Sequence, residues 1–253
     1  MAASDTDTTG NLKKSHQSDS PSLESGSLKE LHQRHLDWLA HDLKTPLIGS
    51  REILQLMLGG VCGKIDPEIE RLLVLLRNTN EEFLHMLETF LDIYRYQAGA
   101  DVLNRTPTDL SEMIKQNLCD LEPSITQRGV RVKFDEPKQQ ATISLDQTAA
   151  KKLLTKLLAN CIEHQHSEGQ LTISMISKPD HAIMAVSADG LTITKDELDA
   201  LFLTAGRHTG GRSHSTKAGL ELHLCYQIVH AHGGTIEARN TDGGLTLTLR
   251  LPK

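Results

Sequence analysis

The sequence has few aromatic residues, few cysteines and no long apolar run. Phe, Trp and Tyr make up 3% of the 253 residues, so any core must be aliphatic. The densest apolar cluster, Leu72-Leu73-Val74-Leu75-Leu76, is far shorter than the roughly 20 residues that span a bilayer, and the polar first residues argue against a secretory leader. Four cysteines, Cys62, Cys119, Cys161 and Cys225, lie far apart without CxxC spacing. They are expected to be small buried hydrophobes in a reducing compartment, not a disulfide or metal set. Positive charge is not in excess either: 27 Lys and Arg face 33 Asp and Glu, for a net charge of -6. That gives no electrostatic reason to expect a nucleic-acid partner. Together these absences point to a soluble, cytoplasmic chain with no membrane span.

What is present is organised in three parts. Residues 1–27 are Ser, Thr, Asp, Gly and Lys with almost nothing apolar, a composition expected to stay disordered because it cannot offset its ordering entropy. From Leu28 to Leu58 the apolar residues Leu36, Leu39, Leu43, Leu47, Leu54 and Met57 recur at helical spacing. Gly59-Gly60 should end that helix, and Asp66-Pro67 should cap and start the next. The second helix is expected to reach about Tyr96, with Ile69, Leu72, Leu73, Leu76, Phe83, Leu87, Phe90 and Leu91 as its apolar set. Two long helices with a short connection form an antiparallel hairpin, and a hairpin has too few layers to bury both stripes alone. Pairing two hairpins into a dimeric four-helix bundle is the natural remedy. The hairpin therefore covers 28–98.

Residues 99–108 read as a linker, and 109–253 alternate between helix and strand. Helices are expected at Asp109 to Arg128, Asp146 to His164 and Ala218 to His232. Strands are expected at Val130 to Phe134, Leu171 to Ser177, Ile183 to Ser187, Thr235 to Arg239 and Leu245 to Leu251. The last two flank the hairpin signal Thr241-Asp242-Gly243-Gly244. The result is an α/β sandwich with helices on one face of a mixed sheet.

Within the first helix, His41 lies about 160° from the apolar stripe, and Thr45 follows one turn later on the same exposed face. A neutral imidazole can attack phosphorus only if its other nitrogen holds the proton, and the adjacent Asp42 can accept that proton and orient the ring. Thr45 can hold a water in line with a phosphorylated ring. Pro46 removes a helical hydrogen bond and permits a bend.

The run Leu39-Ala40-His41-Asp42-Leu43-Lys44-Thr45-Pro46-Leu47 resembles the phosphoacceptor motif of sensor histidine kinases, His-Glu/Asp-x-x-Thr-Pro. The resemblance implies that His41 is phosphorylated from ATP and passes the group to an aspartate of a response regulator. It also implies that Asp42 assists the kinase step and that Thr45 serves phosphatase activity. It further implies a homodimer; a separate sensor protein is a further partner it allows.

The second part resembles the ATP-binding domain of the same family. Leu153 to Cys161 is similar to the asparagine box, which assigns Asn160 to the magnesium of Mg-ATP; the earlier Asn of that box is Lys156 here. Val186 to Ile193 is similar to the first glycine box, with Gly190 in place but Ala188 where the adenine-binding Asp belongs. Asp189 could stand in only through a one-residue shift, and strand alternation would turn it to the other face. Lys217-Ala218-Gly219-Leu220-Glu221-Leu222 is similar to the second glycine box, with Gly219 retained and Lys217 and Glu221 on glycine positions. Lys217 could supply charge to phosphate that the lost glycines no longer provide. Residues 206–212, with Arg207 and Arg212, read as a mobile lid. The expected nucleotide residues are Asn160, Asp189, Gly190, Lys217 and Gly219, and the expected cofactors are ATP and Mg2+.

The acceptor half is therefore complete and the donor half is altered. One reading is a histidine kinase that phosphorylates His41 itself. The others are an ATP-independent phosphotransfer protein or phosphatase, and an adaptor that pairs with an intact kinase.

Overall fold

A computed structural model describes residues 22–99, 103–137, 142–202 and 216–253. Most of the expected tail, residues 1–21, and the expected lid at 206–212 lie outside the described residues. Helix α1 spans Ser22–Leu58 and so begins six residues before the expected start at Leu28. A segment too polar to build a core can still hold good helix formers such as Leu23 and Glu24.

Helix α1 runs through Pro46 without a break. Around the missing N–H, hydroxyls add bonds to the backbone. The Thr45 hydroxyl donates to the His41 carbonyl at 2.7 Å, and Ser50 reaches the carbonyls of Pro46 and Leu47, each at 3.0 Å. After the Gly59-Gly60 turn, Asp66 caps helix α2, Pro67–Ala98, by accepting from the Glu68 N–H at 2.8 Å. Two contacts join the helices: Asn80 Nδ2 donates to the Leu47 carbonyl at 2.9 Å, and Lys44 pairs with Glu88 at 3.0 Å.

The expected apolar stripe is only half covered within one chain. Leu72, Leu76, Phe83 and Phe90 are all more than half exposed. Helix α2 buries Leu84, Thr89, Leu91 and Ile93; Leu91 belongs to the expected set, and the other three lie outside it. Ile93 packs into the core of the α/β unit that follows.

That unit contains β1 (Arg105–Asp109), α3 (Leu110–Arg128), β2 (Arg131–Asp135), β3 (Thr142–Asp146) and α4 (Gln147–His164). It continues with β4 (Gln170–Ser177), β5 (His181–Asp189), α5 (Lys195–Ala200), α6 (Thr216–Ala231), β6 (Thr235–Thr241) and β7 (Gly244–Pro252). The main sheet has the order β2-β4-β5-β7-β6; β2 and β4 run parallel and the other pairs antiparallel. Alternate residues of β4, β5 and β7 are buried, so one sheet face carries the aliphatic core against the helices.

The expected linker at 99–108 is partly structured: β1 pairs antiparallel with β3, Arg105 opposite Asp146. Its sequence Arg-Thr-Pro-Thr-Asp carries no apolar alternation, which is why it reads as a connection. Gly244 closes the β6–β7 hairpin where a Cβ would lie 2.0 Å from the Ala188 carbonyl oxygen, so only glycine fits against the end of β5.

Candidate functional site

Two groups of residues carry chemistry. The first is on α1. His41 is 77% exposed, and its Nδ1 lies 3.3 Å from Asp42 Oδ1. With the proton on Nδ1 facing that carboxylate, Nε2 presents its lone pair to solvent. Thr45 is exposed one turn on, its hydroxyl held by the His41 carbonyl. Thus His41, Asp42 and Thr45 form one open surface on a helix whose other face meets α2.

The second group surrounds α4 and α6. Asn160 is buried, and its Nδ2 has no hydrogen-bond partner, an unusual state for a buried amide. Lys217, in the first turn of α6, lies 3.6 Å from Glu163 of α4. A Cβ on Gly219 would meet open space, so this glycine is not demanded by packing. Gly190 has φ +71 and donates its N–H to the Gly243 carbonyl at 2.8 Å, a turn requirement in its own right.

At the end of β5, Ala188 is buried while Asp189 is exposed. The alternation of the strand thus puts a methyl on the inward side and the carboxylate outside. Asp189 is thus exposed, whereas Asn160 is buried. Asn240, absent from the expected set, clasps the backbone of Ile193 through bonds of 2.6 and 3.3 Å and fixes the loop after β5.

A further cluster went unforeseen. Lys156 Nζ lies 3.1 Å from Glu221 Oε1, and His85 of α2 approaches the same oxygen at 2.9 Å while its Nε2 touches the lysine. Glu221 is nearly buried, with 6% of its side chain exposed, and Lys156 has 17%. Burial opposes the charge on Glu221, but the His85 hydrogen bond and the Lys156 charge outweigh it and hold the carboxyl below its ordinary range.

Three more contacts tie α2 to this unit or support the tie. Asp92 pairs with Lys152 at 2.7 Å. Gln97 donates to His223 Nε2 at 3.2 Å, and His223 Nδ1 donates to the Phe202 carbonyl at 2.7 Å.

As a holder of magnesium this donor set is incomplete. Among the described residues no group of three or more His, Cys, Asp or Glu could hold a metal ion. Asn160 offers one amide, and Glu221 is committed to Lys156. A divalent ion here would need most of its ligands from a nucleotide's phosphates.

A family model described as histidine kinase-, DNA gyrase B-, and HSP90-like ATPase matches residues 145–253. The alginate biosynthesis sensor protein KinB of Pseudomonas aeruginosa is 26% identical over 221 residues, covering 84% of this chain and 36% of the relative. Residues 145–253 thus match that ATPase family, and the chain is similar to sensor histidine kinases. The sensor histidine kinase YvrG of Bacillus subtilis is 23% identical over 221 residues, 86% of this chain and 38% of that protein. The chain therefore spans well under half the length of these two relatives.

Solved structures share the histidine kinase fold. Full-length ShkA in complex with AMPPNP superposes with a TM-score of 0.73 at 19% identity, over 87% of this chain and 45% of that one. Histidine kinase ThkA, solved in complex with the response regulator protein TrrA, gives a TM-score of 0.62 at 20% identity, over 93% of this chain and 68% of that one. No helix among the described residues is long and apolar enough to cross a membrane.

Proposed function

We propose that this chain is the phosphoryl-handling core of a two-component histidine kinase. His41 takes a phosphoryl group and passes it to an aspartate of a response regulator. The observation that carries this reading is the open His41–Asp42 pair, with Nδ1 turned to the carboxylate and Nε2 free to attack.

From Mg-ATP, Nε2 forms a bond to the γ-phosphorus as the bond to the bridging oxygen of ADP breaks. The Nδ1 proton is shared with Asp42, so the phosphorylated ring need not carry a full positive charge. The aspartate of the regulator then displaces the ring nitrogen. Thr45 positions the water that attacks the regulator's phospho-aspartate, releasing inorganic phosphate and the free carboxylate. The exposed leucines and phenylalanines of the hairpin support a homodimer in which two hairpins form a four-helix bundle. A response regulator is the partner by analogy with the ThkA complex, and a nucleotide by analogy with ShkA. Asn160, Lys217 and Gly219, on α4 and the first turn of α6, would be the residues that meet it.

One observation favours a second reading, an ATP-independent phosphotransfer protein, phosphatase or heterodimer adaptor. The adenine-binding carboxylate is replaced by the Ala188 methyl, and Lys156 and Glu221 neutralise each other beside Asn160.

Incubation with Mg-ATP labelled on the γ-phosphate separates the two. Acid-labile, alkali-stable label that disappears in His41→Ala supports the autokinase. No label from ATP, but label acquired from a phosphorylated regulator, supports the second reading. His41→Ala that labels as well as the native chain from both donors would remove His41 from either.

A further inference from the structure

Helix α6 is covered on two sides. Leu224, Cys225 and Ile228 face the sheet core, all at most 1% exposed. Glu221 and His223 are equally enclosed, at 4% and 5%, yet they are polar and are met by α2. A carboxylate so enclosed is expensive unless it is paired, and here one cation and one imidazole converge on the same oxygen. The three groups come from three helices: Lys156 from α4, Glu221 from α6 and His85 from α2 of the hairpin. Each departure from the family pattern answers the other, because the amide position on α4 has become a cation and the glycine position on α6 an anion.

We propose that Lys156, Glu221 and His85 form a built-in electrostatic latch that fixes the α/β unit to the hairpin through the chain's own side chains. The latch works through geometry. Lys156 and Glu221 close the space between α4 and α6, and His85 converts that closure into a contact with α2. Asp92–Lys152 and Gln97–His223 flank it along the same helix, so the latch sits within a continuous seam. Asn160, one turn after Lys156, is left with a buried and unpartnered amide, the residue of a cleft whose other polar groups have turned to each other. This inference rests on the α/β unit being of the ATPase type, and not on whether His41 is phosphorylated.

The chain supplies its own reporters. Cys62, at the hairpin tip, and Cys119, on α3, are exposed, while Cys161 and Cys225 are buried. Spin labels on the two exposed thiols, in protein diluted with excess unlabelled chain, read the hairpin-to-unit distance by pulsed electron resonance. The native chain without nucleotide is expected to give one narrow distance. Lys156→Glu and Glu221→Lys should each lose that narrow peak, and the swapped double variant should regain it. His85→Leu, at a site that is partly open to solvent, gives an independent arm that places no new charge in the seam and should also lose the peak. A broad distribution in the native chain, single variants as narrow as the native chain, or a swap that fails to restore the peak would each overturn the latch. None of these outcomes touches the labelling of His41, so the two readings fail separately.

Discussion

The amide of Asn80 donates to the carbonyl oxygen of Leu47 across 2.9 Å, joining the two helices of the hairpin directly after Pro46. That carbonyl already accepts from the Ser50 hydroxyl, and Ser50 also lies 3.4 Å from Asn80 Oδ1. A small polar knot therefore holds α1 to α2 just beyond the proline. Asn80→Ala should lower the stability of the hairpin by about 1 kcal/mol, the usual net worth of one such bond. Thermal or denaturant melting of the native and variant chains checks this, and an unchanged midpoint would remove Asn80 from the knot.

Thr45 is expected to act on water, not on the ring. In Thr45→Ala, the hydroxyl bond to the His41 carbonyl is lost, but the helical backbone is retained. Dephosphorylation of a partner regulator should fall by about a hundredfold, the scale of losing one positioned donor, while His41 still accepts a phosphoryl group. Regulator half-life and His41 labelling are the two readouts. Equal losses in both would assign Thr45 a structural role.

Under the proposed function, Ala188 is expected to limit adenine recognition. Ala188→Asp places a carboxylate at the buried position where β5 ends, and should tighten ADP binding by roughly 10- to 100-fold, the worth of one charge-assisted hydrogen bond of about 1.5–3 kcal/mol. The same variant should melt at a lower temperature without nucleotide, since the new carboxylate is then buried and unpaired. Titration calorimetry with ADP beside a melting curve tests both. No gain in affinity would mean that closure of the cleft, not the missing carboxylate, sets the limit.

His232 makes stability depend on pH. It is 2% exposed; Nδ1 donates to the Ile228 carbonyl at 2.8 Å and Nε2 accepts from the Asp146 N–H at 3.1 Å, so the neutral ring is the one that fits. Burial, aided by Arg105, pushes its pKa below the ordinary imidazole value against the opposing Ile228 bond and Asp146 charge. The unfolded chain therefore binds the extra proton first. Stability should be full above about pH 6.5 and fall as the pH drops through the ordinary imidazole value toward the lowered folded one. Asp146 behaves differently. Burial works against its charge, but backbone N–H groups outweigh that and lower its pKa, so its contribution is lost only at the acid end of the carboxylate range. Melting between pH 5 and 8 should slope for the native chain and flatten in His232→Gln.

Much of this architecture could be read from residue pattern because the relevant signals are local. Asp66-Pro67, Asp109 and Asp146 cap helices as their positions suggest. Strand alternation placed Ala188 inward and Asp189 outward, and the sheet bears that out. The short polar strand at Arg105–Asp109 carried no periodic signal. Thr142-Ile143-Ser144-Leu145 did alternate, and Thr194 with Glu197 did form a capping box, but both elements are too short to stand out. The seam along α2 was illegible for another reason. Its polar members, His85, Asp92 and Gln97, look like a solvated helix face until α4 and α6 are seen against them. The opposite charges of Lys156 and Glu221 were visible in the sequence, but only their 3.1 Å separation makes them one feature.

That pair also shapes which sequence changes the chain can accept. Asn at position 156 alone would leave the Glu221 carboxylate enclosed without its cation, and Gly at 221 alone would leave the Lys156 ammonium without its anion. Each step breaks a largely buried pair and should cost about 3 kcal/mol, a large share of a small unit's stability. Only the simultaneous change avoids that valley. The two positions are therefore epistatic, and single-residue exchange with a conventional relative would misreport the importance of both.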